Sequence, residues 1–201
     1  QDGATHALYT STDWGRNWLK AKDLPGGGQS IDIDPRSPAG DRTIYLAGSA
    51  SVAIRQGGRW LQGEALPTPS PGGPGGGQPA RFSMGFPQDG GQPVVYASTA
   101  AAAFVSGDGG RTWHGSELPG FKPRINTIAT SPRHPDVAYL SFAYRPGEGE
   151  RFHGVAKTRD KGRTWELVWK EYAKPAPNVQ DAWLSEQFGP GWGGSPGDMS
   201  V

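Results

Sequence analysis

The sequence predicts an all-β fold, a β-propeller of four-stranded antiparallel blades, on three observations. The first is composition. Of 201 residues, 32 are Gly and 19 are Pro, yet the chain also carries eight Trp, six Tyr and seven Phe. Disordered chains are poor in aromatics, so this balance reads as many short strands joined by many tight turns. The second is an octapeptide found three times: Ser11-Thr-Asp13-Trp-Gly15-Arg-Asn-Trp18, Ser106-Gly-Asp108-Gly-Gly110-Arg-Thr-Trp113 and Thr158-Arg-Asp160-Lys-Gly162-Arg-Thr-Trp165. A worn copy, Ala53-Ile-Arg55-Gln-Gly57-Gly-Arg-Trp60, keeps the glycine and the tryptophan but lacks the serine and aspartate. The closing tryptophans stand at 18, 60, 113 and 165, in steps of 42, 53 and 52. The third is a phrase upstream of the last three: Ile31-Asp-Ile-Asp-Pro35 then Ile44-Tyr45-Leu46, Phe82 to Pro87 then Val94-Val-Tyr96, and Ile128-Ala-Thr-Ser-Pro132 then Val137-Ala-Tyr139. Repeats of about 40–50 residues with four strands each are propeller blades.

Taken in order, the chain opens with half a blade at 6–20. The next unit places strands at 30–34, 43–48, 51–56 and 59–63; the following one at 81–86, 93–98, 102–107 and 112–117; the last at 125–130, 137–143, 154–159 and 164–170. Each is a run rich in Val, Ile and Tyr bounded by Pro, Gly or Asp, and no helical period is sustained anywhere. A long segment, 171–196, follows, and 197–201 reads as the start of another first strand. The octapeptide suits the hairpin between the third and fourth strands of a blade. Asp13, Asp108 and Asp160 can accept backbone N–H bonds from their own turn. Gly15, Gly110 and Gly162 supply the positive φ of a tight reversal. The closing Trp is expected to turn into the space between blades. This is architecture, not chemistry.

Several function classes fall away. With 20 basic and 19 acidic side chains the net charge is +1, which gives no electrostatic case for nucleic acid. The weakly apolar stretch from Val94 to Val105 is broken by Ser98 and Thr99 and is too short to cross a bilayer, so no membrane span is expected. The chain has no Cys, which removes disulfides, thiolate zinc and cysteine catalysis. His6, His114, His134 and His153 lack metal-ligand spacing, and neither a metal nor a cofactor is expected. The tract from Gly72 to Gly77, inside a loop insertion at 67–79, has no lysine and no helix after it, unlike a phosphate loop. Gly193-Gly-Ser195-Pro196-Gly197 mimics a nucleophile elbow, but Pro196 has no N–H for the oxyanion. The chain begins at Gln1 with no Met and no charged-then-apolar leader, the opening expected of a processed or partial chain.

The three full octapeptides resemble the Asp-box repeat of bacterial neuraminidases, with its S/T-x-D-x-G-x-T/N-W form. With the Pro-then-Tyr phrase, the chain is most similar to the branch holding sortilin, photosystem assembly factors and xyloglucan hydrolases. It is less similar to true sialidases, whose early Arg-Ile-Pro motif is missing; Pro123-Arg124-Ile125 has another order. The resemblance implies an exported propeller of six or seven blades, with the boxes on the face opposite the ligand site. It also implies a protein or carbohydrate ligand. A seven-blade ring at this pitch needs roughly 300–350 residues. About four blades are expected here, in a larger propeller or beside another chain that completes its edges.

Strand alternation puts the long connections 64–80, 144–153 and 171–196 at the end opposite the octapeptides. The candidate ligand site lies on the last two: Arg145, Asp181, Trp183, Glu186 and Trp192, with Tyr144, Glu148, Glu150, Arg151, Tyr172 and Phe188 nearby. Flat aromatics beside carboxylates and arginine suit a sugar, whose ring faces stack while its hydroxyls take hydrogen bonds. The same tryptophans would serve equally as anchors of a long loop. A glycosidase needs two carboxyls about 5–5.5 Å apart if retaining and about 6.5–9.5 Å if inverting, and a loop spacing of five between Asp181 and Glu186 decides neither. Three readings stand: a recognition or assembly propeller, a glycoside hydrolase or a glycan-binding remnant of one, and a purely structural subunit.

Overall fold

In the computed structural model, described for residues 6–24, 30–48, 50–67, 80–116, 118, 124–144 and 152–172, the regular elements are all β-strands. The first two, β1 (His6–Thr10) and β2 (Leu19–Leu24), form an antiparallel pair around the first octapeptide. Three four-stranded sheets follow. The first holds β3 (Ser30–Ile33), β4 (Ile44–Ala47), β5 (Val52–Gln56) and β6 (Arg59–Gln62). The second holds β7 (Arg81–Gly85), β8 (Val94–Ser98), β9 (Ala103–Ser106) and β10 (His114–Ser116). The third holds β11 (Arg124–Thr130), β12 (Ala138–Tyr144), β13 (Phe152–Thr158) and β14 (Glu166–Tyr172). Neighbouring strands within each sheet pair antiparallel in chain order. These are propeller blades, and every expected strand in them begins and ends within two residues of the observed one.

The sheets stack face to face, and the middle one shows why its strands are so apolar. All five residues of β8 are buried, because a strand covered on both faces has no solvent side. Alternation still sorts them. Val95, Ala97 and Phe104 pack with Tyr45, Val52 and Ile54 of the sheet before, while Val94, Tyr96, Ala103 and Val105 pack with Ile125, Ile128, Leu140 and Phe142 of the sheet after.

Polar bonds then pin one sheet to the next at the first turn of each blade. Arg36 grips Asp34 with Nε and Nη2, both at 2.9 Å, and donates Nη1 to the carbonyls of Pro87 and Gly91 at 2.8 Å. Burial works against the Asp34 charge, yet these charged bonds hold its carboxyl below the ordinary range. The buried Tyr96 hydroxyl donates to the Pro135 carbonyl at 2.6 Å. Burial raises the phenol's pKa, so it stays a neutral donor.

Two expectations need correction. The worn copy is no octapeptide turn: Gly57 and Gly58, at φ 57° and 70°, make a two-residue hairpin between the paired Gln56 and Arg59. Without Ser and Asp there is nothing to organise the longer loop. Trp18 does not enter a space between blades; it is 61% exposed.

Candidate functional site

The three octapeptides fold into one local structure, and their side chains explain it. In the last, the Thr158 hydroxyl donates to Asp160 Oδ1 at 2.8 Å and accepts the N–H groups of Asp160 and Gly162 at 3.3 and 2.9 Å. One donor and two acceptors are a hydroxyl's full capacity. Asp160 Oδ1 also accepts the Thr164 N–H at 2.9 Å, and Oδ2 accepts the Thr164 hydroxyl at 2.6 Å. Ser106, Asp108 and Thr112 repeat the set at 2.6, 3.0 and 2.7 Å for the corresponding bonds. Ser11, Asp13 and Asn17 do so with an amide in place of the last hydroxyl, at 2.8, 2.9 and 2.6 Å.

The turn needs two left-handed residues in succession, one more than the sequence reading assigned. They are Trp14 and Gly15 at φ 60° and 81°, Gly109 and Gly110 at 76° and 92°, and Lys161 and Gly162 at 59° and 75°. In the two buried turns the second must also be bare. A Cβ on Gly110 would lie 2.9 Å from the Val52 side chain, and one on Gly162 would lie 2.5 Å from Val105.

These bonds decide what the aspartates can do. The Thr164 hydroxyl and N–H, then the Thr158 hydroxyl, bring the Asp160 carboxyl down to about 2. Asp13 is lowered by the N–H and side chain of Asn17, then by Ser11. For Asp108, partial burial pulls upward but is outweighed by Ser106, Thr112 and Arg111. A carboxylate this acidic, with both oxygens occupied by its own turn, is neither a general acid nor a base at neutral pH. Each carboxylate serves its own turn as a hydrogen-bond acceptor.

Each buried octapeptide also joins its neighbours. The Trp113 indole N–H donates to the Glu64 carbonyl at 3.1 Å, just beyond β6 of the preceding sheet. The Trp165 indole donates to Ser116 Oγ at 2.6 Å, at the end of β10, and Ser116 in turn donates to the Gly162 carbonyl. Within a blade the octapeptide lies beside the first turn, as Gly109 N to Pro93 O at 3.0 Å and Lys161 N to Asp136 O at 3.2 Å show. Alternation thus sets the ends inside each blade. Between blades, the exit of the fourth strand meets the next octapeptide, which alternation alone does not indicate.

At the other end of the last sheet, the structure places Tyr144 at the tip of β12 rather than in a loop. It pairs with Phe152 at the start of β13, ring centroids 5.2 Å apart, and Phe142 stands 6.0 Å from Phe152. Lys170 of β14 sets its ammonium 4.4 Å from the Phe152 ring centre, a cation–π arrangement. Phe152 and Lys170 were not among the sequence candidates. Their signal was the pairing of β12, β13 and β14, which a linear reading does not carry. Arg145, Asp181, Trp183, Glu186 and Trp192 all lie outside the described residues, Arg145 directly after Tyr144.

No protein-family model matches the sequence, and no curated protein matches it. Among solved structures, the chain is similar to the GH74 xyloglucanase from Xanthomonas campestris, with a TM-score of 0.49 and 16% identity. That match covers 81% of this chain and 27% of the xyloglucanase chain. It is also similar to YCF48 from Cyanidioschyzon merolae, with a TM-score of 0.43 and 15% identity, over 80% of this chain and 66% of that one. This chain thus spans about a quarter of the first protein's length and under two thirds of the second's. Its own stacked, four-stranded meander sheets make it a propeller.

Proposed function

We propose that this chain is a recognition or assembly module of the Asp-box propeller type, exported, which binds a protein or a glycan at the end of the blades away from the octapeptides. One observation carries the reading: the carboxylates of the repeated motif are consumed by their own turns, which leaves them to architecture. The half-buried Tyr144, packed on Phe152, and the Lys170 ammonium stand where β12 and β13 meet at that end. An aromatic edge beside a cation suits a flat sugar face or a polar peptide. In this reading Arg145 adds a charged donor and a stacking plane, Trp183 and Trp192 add flat apolar surface, and Asp181 and Glu186 accept hydroxyl or amide bonds.

The alternative is a glycoside hydrolase in which Asp181 and Glu186 act as acid and base; its support is the acidic, aromatic composition of 171–196. Calorimetric titration with a panel of oligosaccharides, run beside chromogenic glycosides, separates the two. Binding without turnover supports the module, and turnover abolished by Glu186→Gln supports the hydrolase. Trp183→Ala with Trp192→Ala then tests the site. Lost affinity at unchanged melting temperature supports it; a lower melting temperature with affinity intact makes both residues loop anchors.

A further inference from the structure

The second four-stranded sheet carries one reactive dipeptide twice, in near-identical sequence: Gln88-Asp89-Gly90-Gly91 and Gly107-Asp108-Gly109-Gly110. In an Asp-Gly pair the glycine nitrogen can attack the side chain before it, because no Cβ shields the approach. What separates the two copies is the fold around them.

Asp108 is fully engaged. Its carboxylate accepts from the Ser106 hydroxyl, the N–H groups of Arg111 and Thr112, and the Thr112 hydroxyl. The nitrogen that would attack is engaged as well. Gly109 is buried, and its N–H donates to the Pro93 carbonyl at 3.0 Å. Asp89 stands instead at the tip of the turn between β7 and β8, where residues 88–92 are all exposed. Its Oδ1 accepts the Gly91 N–H at 2.9 Å, which folds the carboxyl back along the Gly90 peptide. The Gly90 N–H lies 3.4 Å from the Pro87 carbonyl, past the ordinary range for such a bond. Nothing crowds the glycine, since a Cβ placed on it would meet no atom within 4 Å.

The same turn anchors one sheet to another. Arg36, in the sheet before, donates Nη1 to both the Pro87 and the Gly91 carbonyl at 2.8 Å. One guanidinium nitrogen reaches both only while the backbone from 87 to 91 keeps its length.

We propose that Asp89 is a site of spontaneous isoaspartate formation, and that its conversion releases the Arg36 clamp between the first and second four-stranded sheets. The Gly90 nitrogen attacks Cγ of the protonated carboxyl. The N–Cγ bond forms, the Cγ–OH bond breaks, and the hydroxyl leaves with the amide hydrogen as water. The succinimide ring then takes water back at either carbonyl. Opening at Cγ restores aspartate. Opening at the main-chain carbonyl leaves the backbone running through the side chain, one methylene longer. Only water is exchanged. The added methylene falls between Pro87 and Gly91, so their carbonyls no longer meet one nitrogen.

The test ages the folded 201-residue chain in mildly acidic buffer at body temperature. An endoprotease that cuts before aspartate but not before isoaspartate then maps each site, with electron-transfer fragmentation to assign the isomer. Isoaspartate should accumulate at 89, and at least about tenfold more slowly at 108, because the second turn must open before it can react. In guanidinium chloride the two sites should age alike, since their local sequences nearly match. Aged protein should melt at a lower temperature than fresh protein. Asp89→Glu, whose longer side chain cannot close the five-membered ring, should age without that loss. The proposal is overturned if Asp89 survives ageing unchanged, if both sites convert equally in the folded chain, or if denaturant leaves their ratio intact. It is also overturned if Asp89→Glu loses as much on ageing as the natural chain, because the clamp then does not depend on position 89.

Discussion

The turns at 11–18 and 158–165 have the same local bonds in different surroundings. Ser11 and Thr158 each serve their aspartate and two N–H groups, with donor–acceptor distances that agree within 0.1 Å. Their tryptophans part company. Trp165 is 4% exposed and bonds across to Ser116 of the preceding sheet; Trp18 is 61% exposed and folds back on its own Gly15 carbonyl at 3.0 Å. Trp14, beside it, is fully exposed. The short-range hydrogen bonds shape the turn without help, and a neighbouring sheet is needed to make its tryptophan part of a core.

The tryptophans should give the largest contrast. Trp165→Ala removes a buried indole from the interface of two sheets and should lower stability by about 3–5 kcal/mol. Trp18→Ala should change it by less than about 0.5 kcal/mol, as surface substitutions do. Urea unfolding of both variants measures the gap, and equal losses would mean that Trp18 is covered in solution.

Next come the carboxylates. Asp108→Ala leaves the N–H groups of Arg111 and Thr112 without their acceptor in a turn packed on the preceding sheet. It should destabilise by about 1–3 kcal/mol. Asp13→Ala breaks equivalent bonds where water can replace them, so its effect should be smaller. Affinity for any ligand at the far end should survive Asp108→Ala, and its loss in the folded variant would place the ligand at the octapeptides.

Acid gives a graded version of the same test. A carboxyl whose folded pKa is depressed binds fewer protons folded than unfolded, so its stabilisation is complete above its ordinary value and drains as pH falls. For Asp160 that window runs from the ordinary 3.8 down to about 2. The urea midpoint should fall across this interval. In Asp160→Asn it should start lower at pH 6 and fall less, and parallel curves for the two proteins would remove Asp160 from the account.

The smallest effect concerns Lys161, which holds φ 59° where the middle octapeptide has Gly109. Relief of left-handed strain, partly offset by the greater freedom of unfolded glycine, should make Lys161→Gly stabilising by about 0.5–1 kcal/mol. A loss of stability would mean that the Lys161 side chain makes a contact worth more than the strain.

Legibility followed the range of the interaction. The four-strand period, the strand positions and the octapeptide's Ser/Thr, Asp and Gly could be read because each depends on residues within a few positions of one another. The second left-handed residue was less legible, since Trp14 and Lys161 at that place carry no glycine signal. Tyr144 looked like a loop residue because strand ends are set by pairing, here with Phe152, and the Phe152–Lys170 contact exists only once β13 and β14 lie side by side.

The sequence by itself determined that this chain folds into repeated four-stranded blades closed by a hydroxyl–aspartate turn, because alternation, turn chemistry and repeat length are local properties. Only the tertiary structure decided which copies of a motif are buried and which faces stay open. Trp165 and Trp18 close matching turns, and buried Ile125 and half-exposed Ile31 sit on matching strands. A residue's burial is a property of the sheet packed against it, and that sheet is supplied from some fifty residues away.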